Sequence, residues 1–597
     1  MRISSLPSLP RLKGAARTAA ALLLGTAVLT AQDALIKQAG INGTTKAPET
    51  VRTALNMQKG LAVTADGRWW SPVYWNDGSY TTGASFSVFD KARHLLLMVS
   101  NDGGASWSKA AEVRTTGAVY GSIFPDRDGH TLHLTWYAMN GKGKISSGKI
   151  FGYYSIFYST YDTRTGKWAG TKDEEVVPAW DANHRWGTPD IAVADNGVVG
   201  ITFGCGRGVP KGWVGSTRSW AGGLVWKKNG KWSAPHQVNK DYTGVKLNIM
   251  ALGNTFHMVY RTMTGGYGIC YRKFDTTTDK FSPVYPIVPD PMNPSKNIRT
   301  LHANNVPVLG VLPGGDVYIL YGTGTSHLGG GKLWYVISKG ATGKFTKPMQ
   351  IDDDPKMGWG NNTYYSYTLA RNGNAFSVVY SKVAEQRKNL YMRALTPAGP
   401  IPPYGKPAIP LRKGKGVDQF RLLSGFRLPG YHAGMRLTYS DLHPIGPLTG
   451  GRAMFLGTPT GVAFPKGPGC SGSLSKAPAL GAGGIPALNS TLVLNFSDHP
   501  ASTSGILVLG RNDANFMGIP LPFDLGVLGM TGCSLYQDIK LSLNYTTNAQ
   551  GTGSLQLPVP NVPSMAGVPL FWQGVVIAPG ANTPGLLLTN GIGTIFM

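Results

Sequence analysis

Negative charge is what this chain is shortest of. Its 597 residues hold 57 lysines and arginines against 31 aspartates and glutamates, a formal net charge of +26. Glutamate is confined to Glu49, Glu112, Glu174, Glu175 and Glu385. A retaining or inverting glycosidase needs two facing carboxylates, and the sequence offers no identifiable pair. Asp181 and Asp190, which flank a candidate histidine, read as loop hydrogen-bonding groups. Cysteine is limited to four residues, and no Cys/His spacing resembles a zinc site. No cofactor is expected, and a divalent metal, though compatible with the chemistry below, has no ligand spacing to support it. After residue 31 no stretch sustains a helical period, and none is long and apolar enough for a membrane helix.

What the chain has in abundance is turn-forming residues, 80 glycines and 41 prolines. Between them lie short runs of β-branched and aromatic residues, such as Asp316–Tyr321 followed by Leu333–Ile337. The fold class is therefore all-β. Residues 1–31 combine Arg2, Arg11, Lys13 and Arg17 with a short apolar run, the layout of a secretory signal. A secreted or periplasmic location is expected. Residues 32–54 read as a lead-in. Composition changes near residue 465, at a Pro/Gly-rich punctuation, and charge almost vanishes beyond it. Residues 466–597 read as a small β-sandwich-like module held by a Cys470–Cys533 disulfide, while Cys205 and Cys270 are left undecided between pairing and free thiols. The positive charge thus belongs to residues 1–470, which points to an anionic partner. Export and the lack of any nucleic-acid motif argue for an acidic polysaccharide.

Residues 100–107 read Ser-Asn-Asp-Gly-Gly-Ala-Ser-Trp. Ser100 and Asp102 can accept turn N–H groups, Gly104 can take a positive φ, and Trp107 can drop a ring between sheets. Degenerate copies end on aromatics at 168, 232, 281 and 345, spaced about as four short strands with loops require. The pattern resembles the Asp-box (BNR) repeat of sialidase-like propellers. That resemblance implies a six- or seven-bladed β-propeller over 55–465; seven blades need one completed from both chain ends. The Asp-box turns, Ser100, Asp102, Gly104 and Trp107 included, are read as structural.

Chemistry is expected on the opposite face, where a second repeat occurs. His184 and His302 each begin a His-x4-Pro-x7-Gly pattern at the start of an innermost strand. Tyr120, Tyr364 and Tyr365 hold equivalent positions in other blades. Arg185 and Arg299 lie beside the histidines, and long loops add His327, Arg207 and Trp213. His184, His302, Tyr120 and Tyr364 are the candidate catalytic groups; Arg185, Arg299, His327, Arg207, Trp213 and Tyr365 are candidate substrate contacts. These lead-ins resemble the BNR-4 propellers found among polysaccharide lyases. The resemblance implies β-elimination on a uronate polymer, with a His or Tyr as base and a cation quieting the carboxylate. A sialidase-like hydrolase is the second reading, although the arginine motif and placed glutamate of sialidases are missing. A non-catalytic glycan-binding or surface protein is the third, with the C-terminal module as a possible means of cell-surface attachment.

Overall fold

The computed structural model describes most of residues 58–597, together with 32–38 and 50–52. The longer stretches outside the described residues are 1–31, 39–49, 53–57, 80–90, 179–187, 207–212, 214–219, 239–246, 262–268, 288–306, 325–330, 355–366, 414–419 and 484–489. Shorter gaps fall at 102, 140–142, 147–148, 153, 313, 373–374, 383, 398, 402, 426, 428–431, 434–435, 446–447, 458–461, 514, 561, 563–564, 566–568 and 597.

The molecule is built from antiparallel strands. Among the described residues, seven sheets of four or five strands succeed one another along the chain. Each begins with an innermost strand: Ala62–Val63 with Thr50–Arg52 in sheet one, then Ala118–Pro125, Asp190–Val193, Asn248–Leu252, Val308–Val311, Tyr367–Asn372 and Phe420–Gly425. Each innermost strand lies against that of the next sheet, and Thr50–Arg52 returns against sheet seven. This is a closed ring of radial sheets, a β-propeller. Two segments of the expected lead-in belong to the ring. Thr50–Arg52 pairs with Trp69–Asn76 of sheet one, and Gln32–Gln38 pairs with Leu448–Gly457 as the outer strand of sheet seven.

Apolar side chains fill the wedges between sheets, as burial of both faces of every sheet requires. Trp69, Trp70 and Trp136 are almost wholly buried there. Sheets approach closely where one presents glycine and the next phenylalanine. A Cβ on Gly200 would lie 2.5 Å from Phe256, and one on Gly310 2.6 Å from Phe376.

Sheet five shows the register. Its strands are Val308–Val311, Val317–Gly324, Gly331–Ser338 and Met349–Asp354. The fourth begins later than the aromatic Phe345 suggests, because Lys339–Ala341 forms a 3₁₀ turn and 342–348 is spent returning to the ladder.

Past the ring, a six-stranded sheet joins His432–Ala433, Val462–Lys466, Leu586–Ile595, Pro569–Ile577, Ser504–Gly510 and Leu541–Thr546. It packs on a three-stranded sheet through Leu492, Leu494, Phe496, Leu507, Tyr545 and Trp572. Cys470 and Cys533 form the disulfide, with Cα atoms 4.9 Å apart, while Cys270 is buried. This sandwich meets the ring at the turn before Thr131: Asp513 pairs with Lys466 and lies 3.8 Å from His130. No helix among the described residues is long and apolar enough to cross a membrane.

Candidate functional site

The turns joining third to fourth strands occupy one face of the ring. At the first, the Gly104 N–H donates to Ser100 Oγ at 2.8 Å, and Trp107 Nε1 donates to the Gly104 carbonyl at 3.0 Å. Gly104 has a φ of +102°, and Trp107 packs 5.5 Å from Phe455 of sheet seven. The same device recurs at Gly343, whose N–H donates to Ser338 Oγ at 3.1 Å. Asp102 lies outside the described residues. These groups join strands and neighbouring sheets, which is a structural task. The sandwich occupies the same face, since His130 sits on one of its first-to-second strand turns.

Tyr120 lies towards the opposite face, near the start of its innermost strand. The ladder to Thr131–Ala138 runs Val119↔Tyr137 and then Ser122↔Thr135, so the inner strand carries one extra residue. This β-bulge re-aims a side chain. Tyr120 takes a φ of +48°, a left-handed conformation that costs a non-glycine residue about 1–2 kcal/mol. Its half-buried ring lies 5.5 Å from Tyr74 and 6.1 Å from Tyr137, and Tyr137 meets Tyr154 edge-on at 5.1 Å. Arg52 Nη1 donates to the Tyr120 hydroxyl at 2.5 Å. Arg93 stands 6.0 Å from the Tyr74 ring. Burial works against the Arg93 charge, but Tyr74, Tyr154 and Tyr137 outweigh it and hold the guanidinium above its ordinary value. Phenol and guanidinium groups from two adjacent sheets therefore converge where second strands give way to third strands.

Beneath this cluster the axis of the ring is closed by a buried polar knot. Asp190 accepts from Lys59 Nζ at 3.0 Å, Ser122 Oγ at 2.7 Å, Asn248 Nδ2 at 2.5 Å and the Ile249 N–H at 3.0 Å. Arg427 donates to Asn248 Oδ1 and to the carbonyls of Leu309 and Gln58. Burial is the main reason the Lys59 ammonium is lowered to about 8; Asp190 opposes the shift and Arg427 adds to it. Asp190 is thus no surface loop residue. It is fully buried and neutralises an axial lysine, a role no local pattern betrays because its donors come from distant strands.

Of the sequence candidates, Tyr120 stands in a built cluster. Trp213 is half-buried and packs on Phe203, with ring centroids 6.2 Å apart, close to Gly223. His184, Arg185, Arg207, Arg299, His302, His327, Tyr364 and Tyr365 lie outside the described residues. Sequence reasoning missed Arg52, which falls in the expected lead-in, and Arg93, Tyr74, Tyr137 and Tyr154, which sit at strand ends with no motif around them. Among the described residues no group of three or more His, Cys, Asp or Glu is placed to hold a metal ion.

No protein-family model matches the sequence, and no curated protein is detectably similar to it. Solved structures that this chain matches include the polysaccharide lyase Uly1, 11% identical with a TM-score of 0.41 over 69% of this chain and 99% of that one. A family PL25 ulvan lyase bound to -[GlcA(1-4)Rha3S]- is 11% identical, with a TM-score of 0.40 over 70% of this chain and 95% of its own. An α-L-arabinofuranosidase from Fusarium graminearum is 11% identical, with a TM-score of 0.35 over 71% and 97%.

Proposed function

We propose that this protein is a secreted carbohydrate-active propeller that cleaves an acidic, uronate-containing polysaccharide by β-elimination. The observation that carries the reading is the Arg52–Tyr120 pair, set among Tyr74, Tyr137 and Arg93 on the face away from the Asp-box turns. β-Elimination removes the C5 proton of a uronate. The freed electron pair forms the C4=C5 double bond, the bond from C4 to the glycosidic oxygen breaks, and that oxygen takes up a proton. Tyr120 is suited to proton transfer, and Arg52 and Arg93 to neutralising the carboxylate whose charge grows as C5 is deprotonated. His184 and His302 are proposed as the partner acid or base, with Tyr364 in support. Arg185, Arg299, His327, Arg207 and Tyr365 are proposed as further contacts to the polymer. The net charge of +26 favours an anionic chain. Surface attachment through the C-terminal sandwich is part of the same proposal.

The test is incubation with a panel of acidic polysaccharides, following the ultraviolet absorbance of the unsaturated uronate beside reducing-end release. Both signals should rise for wild type, and Tyr120→Phe should lower kcat by about a hundredfold or more, the usual contribution of a general acid or base. Reducing ends without absorbance would replace the lyase with a hydrolase. Binding without either product would leave a glycan-binding protein.

A further inference from the structure

We infer that Gln58 is a positioning residue for Tyr120, holding the strained bulge that aims its phenol. The inference rests on the reading of Tyr120 as the proton-transferring group. Gln58 is fully buried beside the axis, on the chain entering sheet one. Its Nε2 donates to the Tyr120 carbonyl at 2.8 Å and to the Pro189 carbonyl, also at 2.8 Å. One side-chain amide thereby spends its N–H groups on two successive sheets, on the inner strand of sheet two and on the residue just before the inner strand of sheet three.

The bulge explains why such a donor is needed. Tyr120 sits at the point where the ladder to the second strand skips a residue, and a buried carbonyl there requires a donor from elsewhere. The left-handed φ of Tyr120 is unfavourable in isolation and persists only where its surroundings over-determine it. Those surroundings act from two sides. Gly121 is pressed against sheet one, where a Cβ would stand 3.0 Å from both Leu95 and Pro72. The Gln58–Lys59 segment holds the other side: the Lys59 N–H donates to Ser122 Oγ at 3.1 Å, and the Ile123 N–H donates to the Lys59 carbonyl at 3.0 Å. Gln58 is itself fixed, because its backbone carbonyl accepts from Ser424 Oγ at 2.8 Å and Arg427 Nη2 at 2.9 Å. A chain of short bonds thus leads from sheet seven through Gln58 to the backbone of Tyr120.

The test compares wild type, Gln58→Met and Tyr120→Phe in the full-length protein. Methionine keeps the length of the side chain and removes both donors. Gln58→Met should lower kcat at least tenfold with KM within twofold, displace the pH profile of kcat, and speed hydrogen exchange at residues 118–123. A purely structural glutamine would lower the melting temperature and leave kcat and its pH profile of the folded protein untouched; that result overturns the inference. If Tyr120→Phe keeps full activity, the catalytic reading of Tyr120 fails and takes the inference with it. If Tyr120→Phe is inactive while Gln58→Met retains wild-type kcat, only the positioning role falls. Should Gln58→Met not fold, Ser424→Ala, which loosens Gln58 from sheet seven, is read in the same way: a lower kcat at constant KM supports the role, and unchanged values overturn it.

Discussion

Single residues in this protein divide by whether their task is local or assembled from afar. Gly104 is local in conformation, with a φ of +102°, yet its α-carbon faces sheet seven so closely that a Cβ would stand 2.3 Å from the Phe455 ring. Gly104→Ala combines backbone strain with a clash, and we expect a loss of about 2 kcal/mol or more, read as a lower urea midpoint at unchanged slope. The turn chemistry around it was legible in the sequence, because Ser100, Gly104 and Trp107 lie within one octapeptide. Asp190 and Tyr120 show the opposite case. The four donor residues of Asp190 are contributed by chain segments at 59, 122 and 248–249, so the sequence near it suggests nothing beyond a loop. Tyr120 could be placed on an inner strand, but its bulge, its left-handed backbone and its arginine partner arise only from the tertiary arrangement.

At the scale of strands and turns, the innermost strands of sheets three and five begin one residue after Pro189 and Pro307, six residues beyond His184 and His302, which the sequence pattern put at their starts. Outer strands were harder to read. In sheet two the fourth position is split between Lys167–Trp168 and Glu174–Val177, both pairing with Ser155–Asp162. Short polar edge segments of this kind carry little periodicity. One element contact makes a pH prediction. His94, on the third strand of sheet one, meets Glu112 of the fourth strand at 2.6 Å and Asp77 at 3.2 Å. The hydrogen bond to Glu112 is the main reason the His94 imidazole is raised, and the same bond is the main reason Glu112 is lowered to about 2. The histidine contribution is complete below its unfolded value of about 6.5 and is lost as pH climbs through the higher folded value. The glutamate contribution is present above about 4.3 and fades as pH falls towards 2. Chemical denaturation across pH 5–9 should show wild type losing stability towards the alkaline end relative to His94→Gln. Parallel curves for the two proteins would rule out this linkage.

For the molecule as a whole, the disulfide and the ring stabilise different parts. Cys470 and Cys533 are 63 residues apart in sequence, and closing a loop of that size contributes roughly 4 kcal/mol in the chain-entropy model. Both sulfurs sit in a cluster with Met530, Val576, Leu587 and Leu588, inside the sandwich. Cys470→Ser with Cys533→Ser should therefore destabilise the sandwich by a few kcal/mol. Calorimetry should show its transition moving to lower temperature while that of the propeller moves less.

The outer strand of sheet seven has a consequence for synthesis. Gln32–Gln38 is among the first segments of the sequence to be made, yet its partner, Leu448–Gly457, comes after six other sheets. The bonds from Ser424 and Arg427 to Gln58 likewise span 366 and 369 residues. Contacts of such separation carry a large loop-closure cost and form late. A nascent or truncated chain that stops before sheet seven can therefore stack its early blades while its seam stays open and Gln58 lacks its anchors. Locking of the Tyr120 bulge therefore waits until sheet seven has been made: a product that ends before it would lack the bonds that hold Gln58 against the Tyr120 backbone.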